Sequence, residues 1–177
     1  MDTPSGFVIW LTGLPGSGKT TTAVSLQKEL TLRGLKVEIL DGDEVRKNIS
    51  PDLGFSRSDR ELHAKRVAYI SHLLSRNDVI TIVALISPFR SFRDYARNLV
   101  GRFVEVWVKC SMETCCMRDP KGLYKKASQG EISNLTGIQD PFEPPIRAEV
   151  IIDTEHQMPN ACVDKMMISL KSLKYIP

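Results

Sequence analysis

A glycine-rich segment at residues 13–20 has the residue types and spacing that bind nucleotide phosphates. Gly13 is followed after four residues by Gly18, Lys19 and Thr20, which is the Walker A spacing. In this pattern backbone N–H groups curl around the phosphates, the lysine reaches the β- and γ-phosphate oxygens, and the threonine hydroxyl ligates Mg²⁺. A glycine-rich turn with an incidental lysine is the alternative, but a strand-like run precedes the segment and a helical pattern follows it. The residues predicted to bind the nucleotide are Gly13, Leu14, Pro15, Gly16, Ser17, Gly18, Lys19, Thr20 and Thr21.

Two aspartates, Asp41 and Asp43, follow the second predicted strand at residues 36–40. Parallel strands bring their carboxyl ends to the sheet edge that carries the phosphate-binding loop, so both carboxylates are expected near the γ-phosphate. There they can hold Mg²⁺ through water and accept a proton from an acceptor hydroxyl. We predict that Asp41 joins Thr20 in organising the metal, while either aspartate can be the base. A structural role for Asp43 as a helix cap is the alternative.

The residues after Asp43 suit a second, anionic substrate. Arg46 and Arg60 can make bidentate contacts to phosphate or sulfate. Phe55 can present a ring face to a base, although for this residue alone packing in the core is the stronger interpretation. These residue types therefore suit contacts to a phosphate or sulfate group and to a base.

The third predicted strand runs into Ser87, Pro88 and Arg90. Ser87 is predicted to cap the following helix, with Pro88 in its first turn and Arg90 directed toward the ligand edge. A phosphate-carrying nucleophile is the alternative for Ser87. No neighbour in sequence offers a base, and direct in-line transfer needs no covalent intermediate, so this alternative is the weaker one.

The order of apolar runs and helical patterns predicts the elements that position these groups. Strands are predicted at residues 7–12, 36–40, 79–86, 103–108 and 150–153, and helices at residues 19–32, 58–77 and from 159 onward. Strands that alternate with helices form a three-layer, doubly wound α/β domain around a parallel sheet. We therefore predict the fold of the P-loop nucleoside triphosphatases, of the nucleotide-kinase type.

One segment, residues 118–145, departs from this alternation. It begins with several basic residues, contains Gly130 and Gly137, and has little apolar periodicity. A long segment without regular structure is usually a disordered linker or a functional lid. We predict a lid, because a phosphoryl-transfer enzyme must exclude water from the reacting phosphate.

Length and composition limit the classes of function. A chain of 177 residues is expected to form one domain, residues 1–177. The net charge of +3 and the lack of long charge runs argue against nucleic acid as a partner, and no apolar run reaches membrane-spanning length. The first six residues do not resemble a signal peptide, so a cytoplasmic location is expected. The four cysteines and three histidines lack metal-binding spacings and predict free thiols and no zinc site.

Several motifs together resemble one family, the adenylylsulfate kinases, over nearly the whole chain. The stretches that carry the resemblance are Trp10-Leu11-Thr12-Gly13-Leu14, Leu40-Asp41-Gly42-Asp43 with Arg46, Leu53-Gly54-Phe55-Ser56 with Asp59-Arg60, Ile86-Ser87-Pro88-Phe89-Arg90, Arg118-Asp119-Pro120-Lys121-Gly122-Leu123-Tyr124 and Thr136-Gly137-Ile138. The phosphate-binding loop is common to many enzymes. The Ser-Pro-Phe-Arg and Lys-Gly-Leu-Tyr stretches together are specific to this family.

The resemblance implies transfer of the γ-phosphoryl group of ATP to the 3'-hydroxyl of adenosine 5'-phosphosulfate, with Mg²⁺, in a homodimer. It implies Lys19, Asp41, Asp43 and a phosphoserine at Ser87 as catalytic residues, and Arg118 over the adenine of ATP. The residues that it implies for the acceptor are Asp43, Arg46, Phe55, Arg60, His63, Ile86, Ser87, Pro88, Phe89, Lys121 and Leu135.

Two positions depart from the family's usual residues. His63 stands where an asparagine is usual, and Leu135 where an aromatic residue precedes Thr-Gly-Ile. Loss of an aromatic face costs roughly 1 kcal/mol of stacking, or about fivefold in affinity, so we expect weaker binding of the acceptor adenosine with the same reaction. The sulfurylase domain often fused to this kinase has no counterpart in the sequence, which is similar to the stand-alone form.

Three alternative functions share part of this pattern. Another small kinase, for a sugar, shikimate or a nucleoside monophosphate, would share the fold and the first motif, but the residues after Asp43 argue against it. A GTP-dependent switch would need an Asn-Lys-x-Asp segment, which the sequence lacks. A degenerate kinase is disfavoured because Lys19, Thr20, Asp41 and Asp43 are all present.

Overall fold

The computed structural model describes residues 6–177 and contains a five-stranded parallel sheet with the strand order β2-β3-β1-β4-β5. The strands are β1 Val8–Thr12, β2 Val37–Asp41, β3 Ile80–Ala84, β4 Phe103–Lys109 and β5 Val150–Asp153. The helices are α1 Lys19–Leu32, α2 Gly42–Ile49, α3 Arg57–Ser75, α4 Arg90–Val100, α5 Met112–Arg118, α6 Leu123–Ser128 and α7 Pro159–Ser172. Most of the six N-terminal residues on which the leader prediction depends lie outside the described residues.

The sheet separates two apolar cores, which confirms the three-layer prediction. On one face α1 and α7 pack against alternate strand residues such as Ile9 and Ile82. On the other face α2, α3 and α4 pack against the intervening residues, among them Trp10 and Val83. Both β1 and β3 are buried along their whole length, as expected for parallel strands covered on two sides.

Helix α3 begins at Arg57, one residue before the predicted start at residue 58. The side chain of Ser56, not Ser58, accepts a hydrogen bond from the backbone N–H of Asp59, and the carboxylate of Asp59 accepts one from the backbone N–H of Ser56. This capping box satisfies two backbone donors that the helix itself leaves free. Ser58 instead shares a hydroxyl hydrogen bond with Ser56. The helix therefore begins at Arg57.

The segment at residues 118–145 is more ordered than predicted. Helix α6 occupies residues 123–128, and the carboxylate of Asp119 accepts hydrogen bonds from the backbone N–H groups of Tyr124 and Lys125 at its start. The expectation of a segment without regular structure was wrong for this part. The start of α6 is stabilised by a local side-chain interaction, which the periodicity of apolar residues does not reveal.

Two predictions from composition can be compared with the structure. All four cysteines are free thiols, as predicted. None of the helices formed within residues 6–177 has the length and apolar character needed to span a bilayer.

Candidate active site

A large cavity at the carboxyl edge of the sheet brings together most of the predicted site residues. Its volume is about 1280 Å³, above the roughly 300–1,000 Å³ of pockets that hold one small ligand. The predicted residues that line it are Pro15, Gly16, Gly18, Lys19, Thr20, Thr21, Asp41, Asp43, Arg46, Phe55, Arg60, His63, Ile86, Ser87, Pro88, Arg118 and Lys121. The predicted residues outside this lining are Gly13, Leu14, Ser17, Phe89 and Leu135.

The phosphate-binding loop joins β1 directly to α1, as the sequence predicts. Gly18 immediately precedes the helix with φ +95°, a left-handed conformation that favours glycine. A Cβ atom at Gly13 would lie 2.5 Å from the carbonyl oxygen of Val108 on the neighbouring strand. The free N–H groups at the start of α1 and its positive dipole end suit an anion at this position.

Lys19 is buried at the base of the loop. Its Nζ donates hydrogen bonds to the carbonyl oxygens of Gly13 at 2.9 Å and Leu14 at 2.8 Å. Burial lowers the pKa of Lys19 from 10.5 to about 8, because it penalises the charged amine. The amine is therefore held in place by the loop and is ready to change partners when phosphate oxygens are present.

This lowered pKa predicts proton uptake when the nucleotide binds. Phosphate oxygens favour the ammonium form and raise the pKa of Lys19, so affinity should fall as pH rises above about 8. At pH 9 we expect uptake of up to about 0.9 proton per nucleotide. Calorimetric titrations at pH 9 in two buffers of different ionisation enthalpy measure this number. Uptake in wild type that disappears in Lys19→Met agrees with the prediction, and equal uptake in both proteins contradicts it.

Asp41 connects the end of β2 to the hydroxyl of Thr20. Thr20 Oγ1 donates to Asp41 Oδ2 at 2.7 Å, while Asp41 Oδ1 accepts from the backbone N–H of Asp43 at 3.1 Å. Asp41 is thus the N-cap of α2, and the alternative that Asp43 caps the helix is wrong. A hydroxyl and a carboxylate are the hard oxygen donors that Mg²⁺ prefers, so these residues fit the predicted metal site.

Asp43 lies in the first turn of α2 and forms an ion pair with Lys121 from the segment after α5. Both side chains are more than half exposed and line the cavity. The contact brings the predicted lid to the predicted acceptor side of the site. Asp43 therefore presents a carboxylate to the cavity from a position adjacent to the Asp41–Thr20 pair.

Arg46 and Phe55 form one wall of the cavity. The guanidinium carbon of Arg46 lies 4.7 Å from the ring centroid of Phe55, and Arg46 donates to the carbonyl oxygen of Gly54 at 2.7 Å. The Phe55 side chain is 58% exposed, so the interpretation as a core residue is wrong. An exposed ring stabilised by a cation is available to stack on a planar ligand.

Arg60 fastens the lid segment to α3. Its guanidinium donates to Thr136 Oγ1 at 2.7 Å and to the carbonyl oxygen of Asn134, and its Nε donates to the carbonyl oxygen of Phe55 at 2.8 Å. A carboxylate oxygen of Asp140 lies 3.6 Å away. Arg60 thus connects three parts of the predicted acceptor site and has few donors free.

His63 and Leu135, the two departures from the family pattern, are both buried. His63 Nδ1 and Ser50 Oγ share a hydrogen bond of 2.9 Å, and Nε2 has no partner among the described residues. Burial, followed by the charges of Arg46 and Arg66, lowers the pKa of His63 to about 4, so the ring is neutral at pH 7. Leu135 packs against Cys115, Tyr124 and Ala127 and is not itself part of the cavity lining.

Ser87 has a structural environment that the sequence did not predict. It has φ +42° and is 3% exposed, and its Oγ accepts a hydrogen bond from Trp10 Nε1 at 3.0 Å. Helix α4 begins at Arg90 with Phe89 at its N-cap and no side-chain cap, so the prediction that Ser87 caps it was wrong. Arg90 donates to the carbonyl oxygen of Pro144, not toward the cavity.

Replacement of Ser87 by alanine should leave turnover within about threefold of wild type, because its hydroxyl is bound to Trp10 and direct transfer needs no phosphoserine. The variant should be less stable by about 1–3 kcal/mol, since a buried indole N–H loses its acceptor. Steady-state kinetics and thermal unfolding measure the two effects. A loss of activity by several orders of magnitude in the folded variant would support a covalent intermediate instead.

Arg118 closes the cavity on the side of the loop after β5. Its guanidinium donates to the carbonyl oxygen of Thr154 at 2.6 Å. The lining residues that the sequence analysis missed here are Thr154, Glu155, His156, Gln157 and Met158 of that loop, and Pro159 at the start of α7. These residues could have been predicted from the sequence, because β5 also ends at the carboxyl edge of the sheet.

The same loop brings His156 close to two carboxylates, which the spacing of the histidines did not suggest. Ligand atoms of Asp153, Glu155 and His156 lie within 4.8 Å of one another. Asp153 already accepts from the backbone N–H groups of Glu155 and His156, and Glu155 accepts from Ser111 and Thr114. These hydrogen bonds order the loop after β5 and explain why the three side chains lie close together.

Comparisons with known proteins place this cavity in context. The family model described as adenylylsulphate kinase matches residues 5–153. A probable adenylyl-sulfate kinase from Pyrococcus abyssi is 50% identical over 172 residues, covering 97% of this chain and 99% of the relative. A solved structure of the Mycobacterium tuberculosis APS kinase CysC, in complex with AMPPNP and APS, has a TM-score of 0.92 and 34% identity, covering 96% of this chain and 99% of that one. A hexameric APS kinase from Thiobacillus denitrificans has a TM-score of 0.74 and 28% identity, covering 97% of this chain and 30% of that one.

Proposed function

The chain belongs to the adenylylsulfate kinase family, and from this premise we propose how its own residues carry out the family's reaction. The protein is an ATP-dependent kinase that transfers the γ-phosphoryl group of ATP to the 3'-hydroxyl of adenosine 5'-phosphosulfate, a step in sulfate assimilation. The observation that supports the proposed division of roles is that the phosphate-binding loop, both aspartates and the Arg46–Phe55 wall line one cavity.

The donor half is proposed to consist of the loop at residues 13–21 with Arg118. The backbone of the loop and Lys19 bind the phosphates, and Arg118 with the loop after β5 borders the adenine of ATP. Thr20 and Asp41 would hold Mg²⁺, Asp41 through water, and the ion when bound neutralises charge on the phosphoryl oxygens. Lys19 is then drawn from the carbonyl oxygens of the loop to the transferred group.

The acceptor half is proposed to lie between α2, α3 and the lid. Arg46, Arg60 and Lys121 bind the phosphosulfate group, and Phe55 stacks on the acceptor's adenine. His63 contributes to the wall beneath, and the backbone around Ser87 positions the ribose. Leu135 and Phe89 support this half from behind the lining, where Phe89 packs against Phe92 and Ala64.

We assign the base to Asp43 rather than Asp41. Asp41 already accepts hydrogen bonds from Thr20 Oγ1 and from the backbone N–H of Asp43, so its oxygens are committed to the metal side. Asp43 pairs with Lys121, a residue of the acceptor half. When the acceptor's anion draws Lys121 away, the carboxylate of Asp43 becomes free to orient and deprotonate the 3'-hydroxyl.

The segment at residues 118–145 is proposed to act as the lid. Two contacts support this role: Tyr124 Oη donates to the carbonyl oxygen of Pro15 at 2.9 Å, and Arg60 binds the lid at Asn134 and Thr136. The lid thus touches both halves of the cavity. Its closure would exclude water while ATP and the acceptor are bound.

We also propose a homodimer in the cytoplasm, where ATP is supplied. The assembly is supported by the family resemblance and by the existence of a hexameric relative. Light scattering coupled to size-exclusion chromatography measures the mass in solution. A mass of twice 19.9 kDa agrees with the proposal.

An assay that compares acceptors tests the proposed function. The protein is mixed with ATP, Mg²⁺ and either adenosine 5'-phosphosulfate, AMP, shikimate or a sugar. We expect a 3'-phosphorylated product from adenosine 5'-phosphosulfate at a rate far above the others. Turnover of another acceptor without this product would refute the assignment.

A further inference from the structure

A buried arginine on α4, Arg93, connects the two segments that border the acceptor side of the cavity. Its side chain is 2% exposed, which makes it one of the largest fully buried side chains of the described residues. Burial lowers the pKa of Arg93, and the carboxylate of Glu105 opposes this effect. A charge so deeply buried is tolerated only when it is paired and fully hydrogen-bonded.

The guanidinium satisfies this requirement with three partners on three different segments. Nε donates to Glu105 Oε1 on β4 at 2.6 Å. Nη1 donates to the carbonyl oxygen of Ser87 at 2.6 Å, and Nη2 donates to the carbonyl oxygen of Glu143 at 2.8 Å. Because the guanidinium is planar and rigid, these bonds fix the two carbonyls relative to each other.

The two carbonyls belong to segments with different tasks. Ser87 and Pro88 line the cavity, whereas Glu143 is near the end of the proposed lid. Two further bonds join the same segments: the backbone N–H of Glu143 donates to the carbonyl oxygen of Pro88 at 2.8 Å, and the backbone N–H of Arg90 donates to Glu143 Oε2 at 2.8 Å. Arg93 is at the centre of this connection.

The conformation of Ser87 adds a reason for such support. A non-glycine residue with φ +42° is strained and persists only when its surroundings hold it. The hydroxyl of Ser87 is bound by Trp10, and its carbonyl oxygen accepts a bond of 2.6 Å from Arg93 and a longer one of 3.4 Å from Thr12 Oγ1. Removal of the Arg93 bond leaves only the longer bond to hold this carbonyl.

We propose that Arg93 is a positioning residue for the acceptor: it holds the Ser87–Pro88 backbone and the end of the lid in the one arrangement that seats the acceptor. The inference rests on the proposed function, because it uses the acceptor half of the cavity defined there. Arg93 does not line the cavity. Its effect therefore reaches the acceptor only through the backbone at residues 87–88 and 143, while the ATP half keeps its own supports.

Arg97 provides a matched control one turn further along α4. Within the part of the chain that the structure describes, its ion-pair partners are Glu149 at 2.7 Å and Glu105 at 3.4 Å, and its guanidinium lies 4.9 Å from the ring of Phe103. It shares the helix, the charge and Glu105 with Arg93. It has no bond to Ser87 or Glu143 among the described contacts.

The test compares Arg93→Lys with Arg97→Lys. A lysine keeps the charge near Glu105 but cannot hold two carbonyls in a fixed plane. In Arg93→Lys we expect the KM for the acceptor to rise about tenfold and kcat to fall, while the Kd for ATP, titrated directly, stays within about twofold. Arg97→Lys should leave acceptor KM, kcat and ATP affinity within about twofold, whatever its loss of thermal stability.

Two results would overturn the proposal: an unchanged acceptor KM and kcat in Arg93→Lys, or equal changes in acceptor KM and ATP Kd. Should Arg93→Lys fail to fold, the double variant Arg93→Met/Glu105→Gln decides, because it removes the guanidinium and the charge of its buried partner together and so leaves no unpaired carboxylate. We expect a rise of about tenfold in acceptor KM with unchanged ATP Kd, because both carbonyl oxygens lose their bond from Arg93. No rise in that variant rejects the proposal. A wild-type protein that does not phosphorylate adenosine 5'-phosphosulfate refutes the proposed function instead.

Discussion

Replacement of Lys19 by alanine should lower kcat by about a thousandfold or more without unfolding the protein. The lysine ammonium lies at the base of the loop, where it can follow the transferred phosphoryl group, and a cation that stabilises this group, such as an arginine finger, contributes roughly 10³–10⁵ in rate. The loop itself should survive, because its carbonyls at Gly13 and Leu14 lose one donor each and its backbone is held by β1 and α1.

Lys28 offers a matched control, since it is an exposed lysine on the same helix α1. Lys28→Ala should keep wild-type kcat and KM. Initial rates with both substrates saturating, together with circular dichroism, separate chemistry from folding. A Lys19→Ala variant that is folded and retains more than about a tenth of wild-type kcat would contradict the role assigned to this amine.

The second large effect is expected on replacement of the two aspartates, and the two variants should lose activity for different reasons. Asp43→Asn should lower kcat by about 10²–10⁴, the range for loss of a general base, with no change in the Mg²⁺ concentration that gives half-maximal rate. Asp41→Asn should raise that Mg²⁺ concentration, and excess Mg²⁺ should restore part of the rate. Asparagine is as good an N-cap as aspartate, so this substitution changes the charge while α2 keeps its cap.

The ion pair with Lys121 requires a separate control. Lys121→Met removes the partner of Asp43 but leaves the carboxylate, so it should raise the acceptor KM more than it lowers kcat. Measuring the rate as a function of Mg²⁺ concentration for all three variants distinguishes a loss of metal binding from a loss of the base. If Asp43→Asn shifts the Mg²⁺ requirement and Asp41→Asn does not, the two roles are exchanged.

The fold could be predicted from the sequence because its signals are local and agree with one another. The apolar runs of β1 and β3 are the length of buried parallel strands, and the glycine-rich loop between β1 and α1 has a known conformation. The aspartates of the site followed from the same reasoning, since strand ends converge at one edge of the sheet. The helix α7 begins at Pro159, the residue that the sequence indicated.

The parts that could not be predicted depend on partners distant in sequence. The hydroxyl of Ser87 is bound by Trp10, 77 residues earlier. The residues next to Ser87 in sequence predicted a helix cap instead. Arg60 was predicted to contact the acceptor's anion, and its bond to Thr136, 76 residues later, could not be read from the sequence. Leu135 packs between α5 and α6, against Cys115 and Tyr124, whereas the family resemblance implies a place at the acceptor. The start of helix α6 is bound by the carboxylate of Asp119, and no periodic pattern in the sequence predicts this contact.

The central claim is that the phosphoryl group passes directly from ATP on the loop to the acceptor hydroxyl beside Asp43, within one cavity. The stereochemical course at the γ-phosphorus tests it most directly. ATP made chiral at that phosphorus by isotopic oxygen labelling is turned over with adenosine 5'-phosphosulfate, and the configuration of the new 3'-phosphate is determined. A single in-line transfer predicts inversion. Retention of configuration would require two transfers through a phosphorylated residue such as Ser87, and would contradict the account.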